Sequence, residues 1–239
     1  MHPKGEWFVA SIPSVCAPSV SGIDWQLDEL RRIFPELQNA KVARPKFSEE
    51  VLSEAESILA VPKWNLLSTD YNASISRVVE ALSAVSEWKL NIRCSNRLAD
   101  PEYLRRSEYS KRAVERISVT QPESDFLIFP FQSGHRHRDI SARKATEFME
   151  EKNRKSLGFR CEFGLGLFET VILLLLFPER LACREDLWFY CAGDEAAYEP
   201  RKFNHVPTVS FRDGGIRLSF QGNTGANLDY GIPTGFVPA

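Results

Sequence analysis

The side chains best suited to chemistry are concentrated in residues 132–143, which we call the basic loop. Its charged and titratable side chains are His135, Arg136, His137, Arg138, Asp139 and Arg143. Arginine presents a planar fork of donors that matches a carboxylate or a phosphate, and the start of the following helix adds unpaired N–H groups and a positive dipole end. We therefore expect the three arginines to bind a small anion and one of the histidines to move a proton.

A metal site and a plain surface loop are alternative interpretations of the same segment. His135, His137 and Asp139 form a His-x-His-x-Asp pattern, which is similar to the opening half of the metallo-β-lactamase motif. Ile140 stands where that family has a further histidine, and only His205 remains downstream. The interleaved arginines also oppose a bound cation, so we predict no metal. In the surface interpretation these side chains pair with acidic residues from elsewhere in the chain.

Acidic residues beside apolar segments are the second group of candidates. Glu169 lies inside the most apolar stretch of the chain, and a buried carboxylate must be paired or have a raised pKa. Arg138 or Arg143 is its expected partner. Asp194 and Glu195 follow a predicted strand, where open α/β sheets place ligand sites. We predict acid–base roles for all three carboxylates, with a structural ion pair or a solvated turn as the alternatives.

A helix predicted over residues 100–117 carries the third group of candidates. Arg105, Arg112 and Arg116 are spaced to lie on one face of that helix. Together with residues 135–144 they can form a surface for a protein or a nucleic acid. No helix-turn-helix, zinc-finger or RNA-binding aromatic motif accompanies these arginines, so a nucleic acid is the less favoured partner.

The overall composition is that of a soluble globular protein. The chain has 239 residues, 43% of them hydrophobic, and its 30 basic and 32 acidic side chains leave a net charge of -2. No overall field therefore selects a polyanionic partner. The charge is uneven along the chain, with +4 over residues 101–160 and -4 over residues 161–239. The basic surplus includes the basic loop.

Several absent patterns bear on the compartment and the cofactor. The five cysteines are odd in number and no two are spaced as Cys-x-x-Cys, which is typical of reduced thiols. The first residues contain no apolar signal segment, and the apolar stretch 165–177 is shorter than the roughly 20 residues of a spanning helix. We predict a cytoplasmic protein with no membrane contact. Walker, Gly-x-Ser-x-Gly and His-Glu-x-x-His motifs are missing, so the cofactor is unknown.

Hydrophobic spacing predicts the elements that must position these residues. In the first half the prediction is mainly helical, with helices over 24–34, 48–62, 72–88 and 100–117 and strands over 6–12 and 90–94. In the second half strands are predicted over 125–131 and 186–191, helices over 140–156 and 165–177, and a hairpin over 206–221. Residues 222–239 are predicted to be an irregular tail.

These elements predict an α/β (or α+β) fold in which a mixed sheet is covered by helices. The N-terminal half is helix-rich and the C-terminal part ends in an antiparallel β-hairpin. We predict one compact domain over residues 1–239, and the alternative is a helical N-terminal subdomain over about 20–120.

Two functional hypotheses follow. The favoured one is an enzyme or sensor that binds a small anionic ligand, for example a phosphorylated one, at the basic loop. The alternative is a non-catalytic module that binds a protein or a nucleic acid through residues 100–117 and 135–144. The first requires the arginines and acids to line one concave site, whereas the second requires the basic side chains on an open face.

Overall fold

A computed structural model describes residues 22–85, 91–92, 95–155, 161–181, 188–212 and 215–238. The strand predicted over 6–12 and the hairpin turn at 213–214 lie outside these residues. The helices are α1 (Gly22–Ile33), α2 (Glu49–Glu54), α3 (Tyr71–Val85), α4 (Ser95–Leu98), α5 (Glu108–Thr120), α6 (Ala142–Lys155) and α7 (Leu167–Leu176). The strands are β1 (Ser57–Pro62), β2 (Asn91–Ile92), β3 (Leu104–Arg106), β4 (Phe126–Gln132), β5 (Glu162–Gly164), β6 (Trp188–Tyr190), β7 (Asp194–Ala196), β8 (His205–Arg212), β9 (Gly215–Gly222), β10 (Tyr230–Gly231) and β11 (Thr234–Phe236).

The smaller of two sheets is antiparallel, with the strand order β1-β4-β11-β5. Every residue of β4 is buried, as its nearly continuous apolar sequence predicts for a strand covered on both faces. Because β1 comes from the N-terminal half and β11 from the C-terminal tail, this sheet joins distant parts of the chain.

The larger sheet is mixed. Its strands follow the order β10-β6-β8-β7-β3, and β9 pairs with both β8 and β2. The β8–β9 hairpin is antiparallel from His205 opposite Gly222 to Arg212 opposite Gly215, whereas β2 lies parallel to β9 and β10 lies parallel to β6. The predicted fold class is therefore confirmed, including the mixed sheet and the C-terminal hairpin.

Helix α7 is the most deeply buried helix of the described chain. All ten of its residues are buried, and it contacts α1, α3 and β1. A helix that is apolar all round must lie inside the protein, which is what the stretch 165–177 predicted. No helix within the described residues is long and apolar enough to span a membrane.

The helix predicted over 48–62 is wrong beyond its first turns. Ser48 caps α2 by accepting a hydrogen bond from the Val51 N–H at 3.3 Å, but the helix ends at Glu54 and the chain continues as β1. Apolar residues at 58 and 59 suit a helix face and a buried strand equally well. Pairing of β1 with β4, more than sixty residues away in the chain, decides between them.

The helix predicted over 100–117 is also wrong in its first part. A turn held by the hydrogen bond from the Tyr103 N–H to the Asp100 carbonyl is followed by β3. Ser107 then caps α5 by accepting a hydrogen bond from Ser110. Arg105 lies in β3 opposite Glu195, so it does not share a helix face with Arg112 and Arg116.

The C-terminal tail is not irregular throughout, since it supplies β10 and β11. Strand β11 lies in the middle of the smaller sheet, between β4 and β5. A side chain at Gly235 would place its Cβ 2.7 Å from the Phe163 ring and 2.8 Å from the Phe129 ring. Glycine in the tail therefore serves close packing of a central strand rather than a loop.

Candidate active site

A buried polar cluster of four side chains lies where α3, β3, α7 and β7 meet. Its members are Tyr71, Arg106, Glu169 and Asp194. Arg106 forms an ion pair with Glu169, and the two side chains are only 10% and 3% exposed. The Arg106 Nη2 group also donates to the Tyr71 hydroxyl at 3.1 Å, with the guanidinium 4.5 Å from the centre of the Tyr71 ring.

Asp194 is held by three hydrogen bonds at one end of this cluster. The Tyr71 hydroxyl lies 2.9 Å from Oδ1 and 3.0 Å from Oδ2, and the Leu167 N–H donates to Oδ2 at 2.6 Å. Leu167 is the first residue of α7, so the positive end of that helix faces the carboxylate. Glu169 accepts from the Gly166 N–H at 3.1 Å in the same turn.

Glycines allow the backbone segments of the cluster to approach each other. A Cβ at Gly166 would lie 2.8 Å from both Asp194 carboxylate oxygens, and a Cβ at Gly193 would lie 2.3 Å from the Gly166 nitrogen. Any larger residue at these two positions would push the carboxylates apart. The Gly-x-Gly sequence at 164–166 is therefore a packing feature and not part of a dinucleotide site.

Burial raises the pKa of Asp194 to about 7. The positive charge of Arg106 opposes this rise, while the negative charge of Glu169 adds to it. Two carboxylates thus share one guanidinium, and Asp194 changes protonation state near neutral pH. Burial likewise raises the pKa of Tyr71 well above its usual value, so its phenol stays protonated and donates to Asp194.

A cleft of about 150 Å³ lies beside the cluster and has Asp194 in its wall. Its polar lining is Ser107, Arg143, Thr146, Glu147, Asp194, Glu195, His205 and Asn223. Both α5 and α6 begin at this cleft, because Ser107 caps α5 and Ala142 opens α6. Their positive ends make the cleft favourable for negative charge.

His205 supplies the cleft with an unsatisfied nitrogen. Its Nδ1 atom is buried and has no hydrogen-bond partner within the described chain, while its ring packs edge-on against Tyr198 with the centres 4.6 Å apart. Burial lowers the pKa of His205, so the imidazole is neutral near pH 7. A buried polar atom without a partner calls for an explanation, and His205 is a candidate ligand contact because it lines the cleft.

Arg143 and Glu195 lie at the rim of the cleft in exposed ion pairs. Arg143 Nε lies 3.0 Å from Glu147 Oε1, with both side chains more than 60% exposed, and Glu195 Oε2 lies 2.7 Å from Arg105 Nε. Exposed pairs of this kind contribute little to stability. Arg143 can therefore exchange Glu147 for an anionic ligand at small cost.

The predicted site residues fall into two sets. Arg143, Asp194 and Glu195 share the cleft, and Glu169 joins them through the buried cluster. The predicted partner of Glu169 was wrong, since Arg106 takes the place expected for Arg138 or Arg143. Buried pairing of Glu169 was nevertheless among the alternatives, and the ion pair with Arg106 satisfies it.

The other basic-loop residues have separate partners. Residues His135–His137 form a short 3-10 helix. Arg136 Nη1 lies 2.7 Å from Glu54 Oε2, and Arg138 Nε donates to the Leu228 carbonyl at 3.0 Å. Among the described residues, neither of these arginines nor either loop histidine lines the cleft.

His137 belongs to a second buried polar cluster. Its Nε2 atom lies 2.7 Å from Glu162 Oε1, which also accepts a hydrogen bond from the Thr234 hydroxyl at 2.7 Å. Burial alone would raise the pKa of Glu162, but the hydrogen bond and charge of His137 outweigh it and the pKa is lowered. Lys152 Nζ lies 3.7 Å from the other carboxylate oxygen. This cluster fastens the basic loop to β5 and β11.

Three residues of the site escaped sequence reasoning: Tyr71, Arg106 and His205. The Leu-Arg-Arg sequence at 104–106 has too short an alternation to indicate a strand that exposes one arginine and buries the next. Tyr71 gives no sequence signal, because its role comes from contacts with residues far along the chain. His205 was visible only as the single histidine after the basic loop.

Metal and thiol chemistry have little support in this region. Within the ranges that the structure describes, no three His, Cys, Asp or Glu side chains are grouped to hold a metal ion. Cys191 is buried near the cluster, and burial raises the pKa of its thiol. A protonated, buried thiol is a poor nucleophile.

No protein-family model, curated protein or solved structure matches the chain. Function is therefore inferred from the chemistry of the cleft and of the buried cluster that forms its wall.

Proposed function

We propose that the protein is an enzyme that transfers a proton to or from a small anionic substrate in the cleft beside Asp194. One observation carries the proposal: Asp194, whose pKa is raised to about 7, lies in the wall of a cleft that Arg143 and His205 also line. Groups whose pKa lies near the working pH are the most effective general acids and bases.

Asp194 is the proposed acid–base group. Because its pKa is raised to about 7, Asp194 can give or accept a proton near neutral pH. The Arg106–Glu169 ion pair is a positioning element, because Glu169 raises the pKa of Asp194 while Arg106 holds both acids in place. Tyr71 fixes the direction of the carboxylate through its hydroxyl.

Arg143 and His205 are the proposed substrate-binding groups. Arg143 offers a cation whose present partner is weakly held, and the starts of α5 and α6 add to the positive potential. Neutral His205 offers a hydrogen bond without adding charge. At about 150 Å³ the cleft is smaller than the cavities that hold drug-sized ligands, so it fits a few heavy atoms.

The positions of the arginines in β3 favour the small-ligand hypothesis over the alternative, in which an open basic face binds a protein or a nucleic acid. Arg105 pairs with Glu195, and Arg106 is buried against Glu169. Arg106 is therefore not available to a phosphate backbone, so the basic face has one cation fewer than the sequence indicates.

The experiment is a comparison of binding and turnover in matched variants. Binding of inorganic phosphate and acetate is measured by calorimetry for the wild type, Arg143→Ala, Asp194→Asn and Arg201→Ala. Arg201 is an exposed arginine paired with Glu102 that does not line the cleft, so it controls for loss of charge. We expect Arg143→Ala to weaken binding about tenfold and Arg201→Ala to leave it unchanged.

Turnover is tested in D2O with small α-keto acids and phosphate esters, followed by proton and phosphorus NMR. We expect the wild type to consume one of them or to exchange its carbon-bound protons, and Asp194→Asn to lose that activity while remaining folded. Equal activity in Asp194→Asn, or binding that is insensitive to Arg143→Ala, would contradict the proposal.

A further inference from the structure

A second and larger cavity lies between α5 and α6. Its volume is about 600 Å³, and its lining includes Tyr109, Arg112, Arg116, Glu150, Arg154 and Cys161. Both helices contact β5, which leaves a groove between them with Cys161 beside its floor. This volume lies within the range that holds small-molecule ligands.

The larger cavity adjoins the cleft of Asp194. Glu147 lines both of them. The beginnings of the two helices, at Ser107 and Ala142, line the cleft, whereas later turns such as those of Arg112 and Arg154 line the cavity. The two spaces therefore follow one another along the same pair of helices.

The floor of the cavity is held in place by hydrogen bonds. The Tyr109 hydroxyl and the Asn153 amide nitrogen both donate to the Glu162 carbonyl, at 2.5 and 2.9 Å, and the Glu162 N–H donates to Asn153 Oδ1 at 3.1 Å. Burial raises the pKa of Tyr109, so its phenol carries no negative charge. These hydrogen bonds give the cavity a fixed floor, with Glu150 near the Tyr109 phenol.

Three arginines and three glutamates line the cavity, and Glu150 is the glutamate that forms no ion pair with a described residue. Two of its glutamates already have cationic partners, since Glu147 pairs with Arg143 and Glu151 pairs with Lys155. Arg112 donates from Nε to the Glu108 carbonyl, which leaves its two terminal nitrogens for a ligand. Arg154 makes no ion pair with any described residue.

We infer that the cleft and the cavity form one binding groove, and that the substrate is an elongated molecule with an acidic group at each end. One end reacts beside Asp194, and the other is held by Arg112 and Arg154. A carboxylate and a phosphate share the chemistry that these arginines recognise. The inference rests on the proposed function, because it extends the substrate of the same site.

The test is a series of straight-chain dicarboxylates from succinate to suberate, with a matching series of alkyl bisphosphonates, compared with acetate and inorganic phosphate. Binding to the full chain is measured by calorimetry. We expect affinity to pass through an optimum with chain length and to exceed that of the single-anion probes by about tenfold. The series that binds more tightly identifies the acidic group.

The variant Arg112→Ala/Arg154→Ala locates the second anion. It is expected to reduce the best two-headed probe to the affinity of its single-anion counterpart. Arg201→Ala is again the control for lost charge.

The outcomes separate the two proposals. If Arg143→Ala weakens every probe but the double variant weakens none, the elongated substrate is overturned and the proposed function stands. If two-headed probes bind with no dependence on Arg143, the cavity acts alone and the shared groove is overturned. An affinity that does not change with chain length overturns the inference as well.

Discussion

Two buried polar clusters use the same kinds of side chain to opposite effect. In the first, Asp194 and Glu169 share the single guanidinium of Arg106, and the pKa of Asp194 rises to about 7. In the second, Glu162 alone receives a hydrogen bond from His137 and another from Thr234, and its pKa falls. Burial acts to raise both pKa values, but the negative charge of Glu169 adds to the rise in Asp194 whereas His137 and Thr234 outweigh it in Glu162.

The two clusters also differ in the volume of the space beside them. Asp194 lies in the wall of a cleft of about 150 Å³, whereas the cavity beside Glu162 has a volume of only about 10 Å³. A titrating acid beside an open cleft can meet a substrate, while an ionised acid beside a closed space can hold structure only. The proposed acid–base chemistry therefore belongs to the first cluster, and we expect a structural role for the second.

The largest expected effect comes from removing the shared cation. Arg106→Ala leaves two carboxylates buried without a counter-charge, so we expect a loss of about 3–5 kcal/mol in the free energy of unfolding. Arg105→Ala is the matched control, because Arg105 pairs with Glu195 on the surface. Its loss should lower the free energy of unfolding by less than about 1 kcal/mol. Urea denaturation measures both, and equal losses would contradict the role of Arg106 as the buried counter-charge of the first cluster.

Crowding the first cluster is expected to have the next largest effect. Gly166→Ala would place a methyl group 2.8 Å from the Asp194 carboxylate, which should lower the free energy of unfolding by about 1–3 kcal/mol. Gly222→Ala meets nothing within 4 Å and serves as the control in the same thermal denaturation experiment. A silent Gly166→Ala would show that the carboxylate is not confined as described.

The clusters should give opposite dependences of stability on pH. Asp194 has a raised folded pKa, so its contribution is full below the unfolded value of 3.8 and is lost as pH rises towards about 7. Glu162 has a lowered pKa, so its contribution is full above the unfolded value of 4.5 and is lost as pH falls through the folded value. Each slope is at most about 1.4 kcal/mol per pH unit.

Urea denaturation from pH 4 to pH 8 measures these slopes in the wild type, Asp194→Asn and Glu162→Gln. We expect Asp194→Asn to remove the fall in stability with rising pH, and Glu162→Gln to remove part of the loss at the acidic end. A curve for Asp194→Asn that runs parallel to that of the wild type would refute the assignment of its pKa.

The smallest effect on stability is expected at the rim of the cleft. Arg143→Ala should change the free energy of unfolding by less than about 0.5 kcal/mol, since its ion pair with Glu147 is exposed. The same variant should weaken anion binding, which distinguishes a binding residue from a stabilising one. A large loss of stability with unchanged binding would reverse that assignment.

Elements with strong local signals were predicted correctly from the sequence. Strand β4 follows from its continuous apolar run, α7 from its apolar length, and the β8–β9 hairpin from alternation around a turn sequence. The errors over 48–62 and 100–117 concern segments whose spacing suits a helix and a strand alike. Strand pairing with distant segments settles these cases, and a local pattern does not contain that information.

The site was predicted in the same uneven way. Glu169, Asp194 and Glu195 stood out because acids beside apolar segments must be paired or perturbed. Their actual partners lie far along the chain: Tyr71 is separated from Asp194 by 123 residues and Arg106 from Glu169 by 63. Nothing local to either acid indicates which of many arginines or tyrosines will reach it.

The sequence alone determined the fold class, most of the second-half elements and the acids that are candidates for acid–base chemistry, because these depend on composition and local spacing. Only the tertiary structure decided that Arg106 and not a basic-loop arginine neutralises Glu169, and that Arg143, Asp194 and His205 share one cleft. Burial and distance set a pKa and assemble a binding site, and both arise only when distant segments pack together.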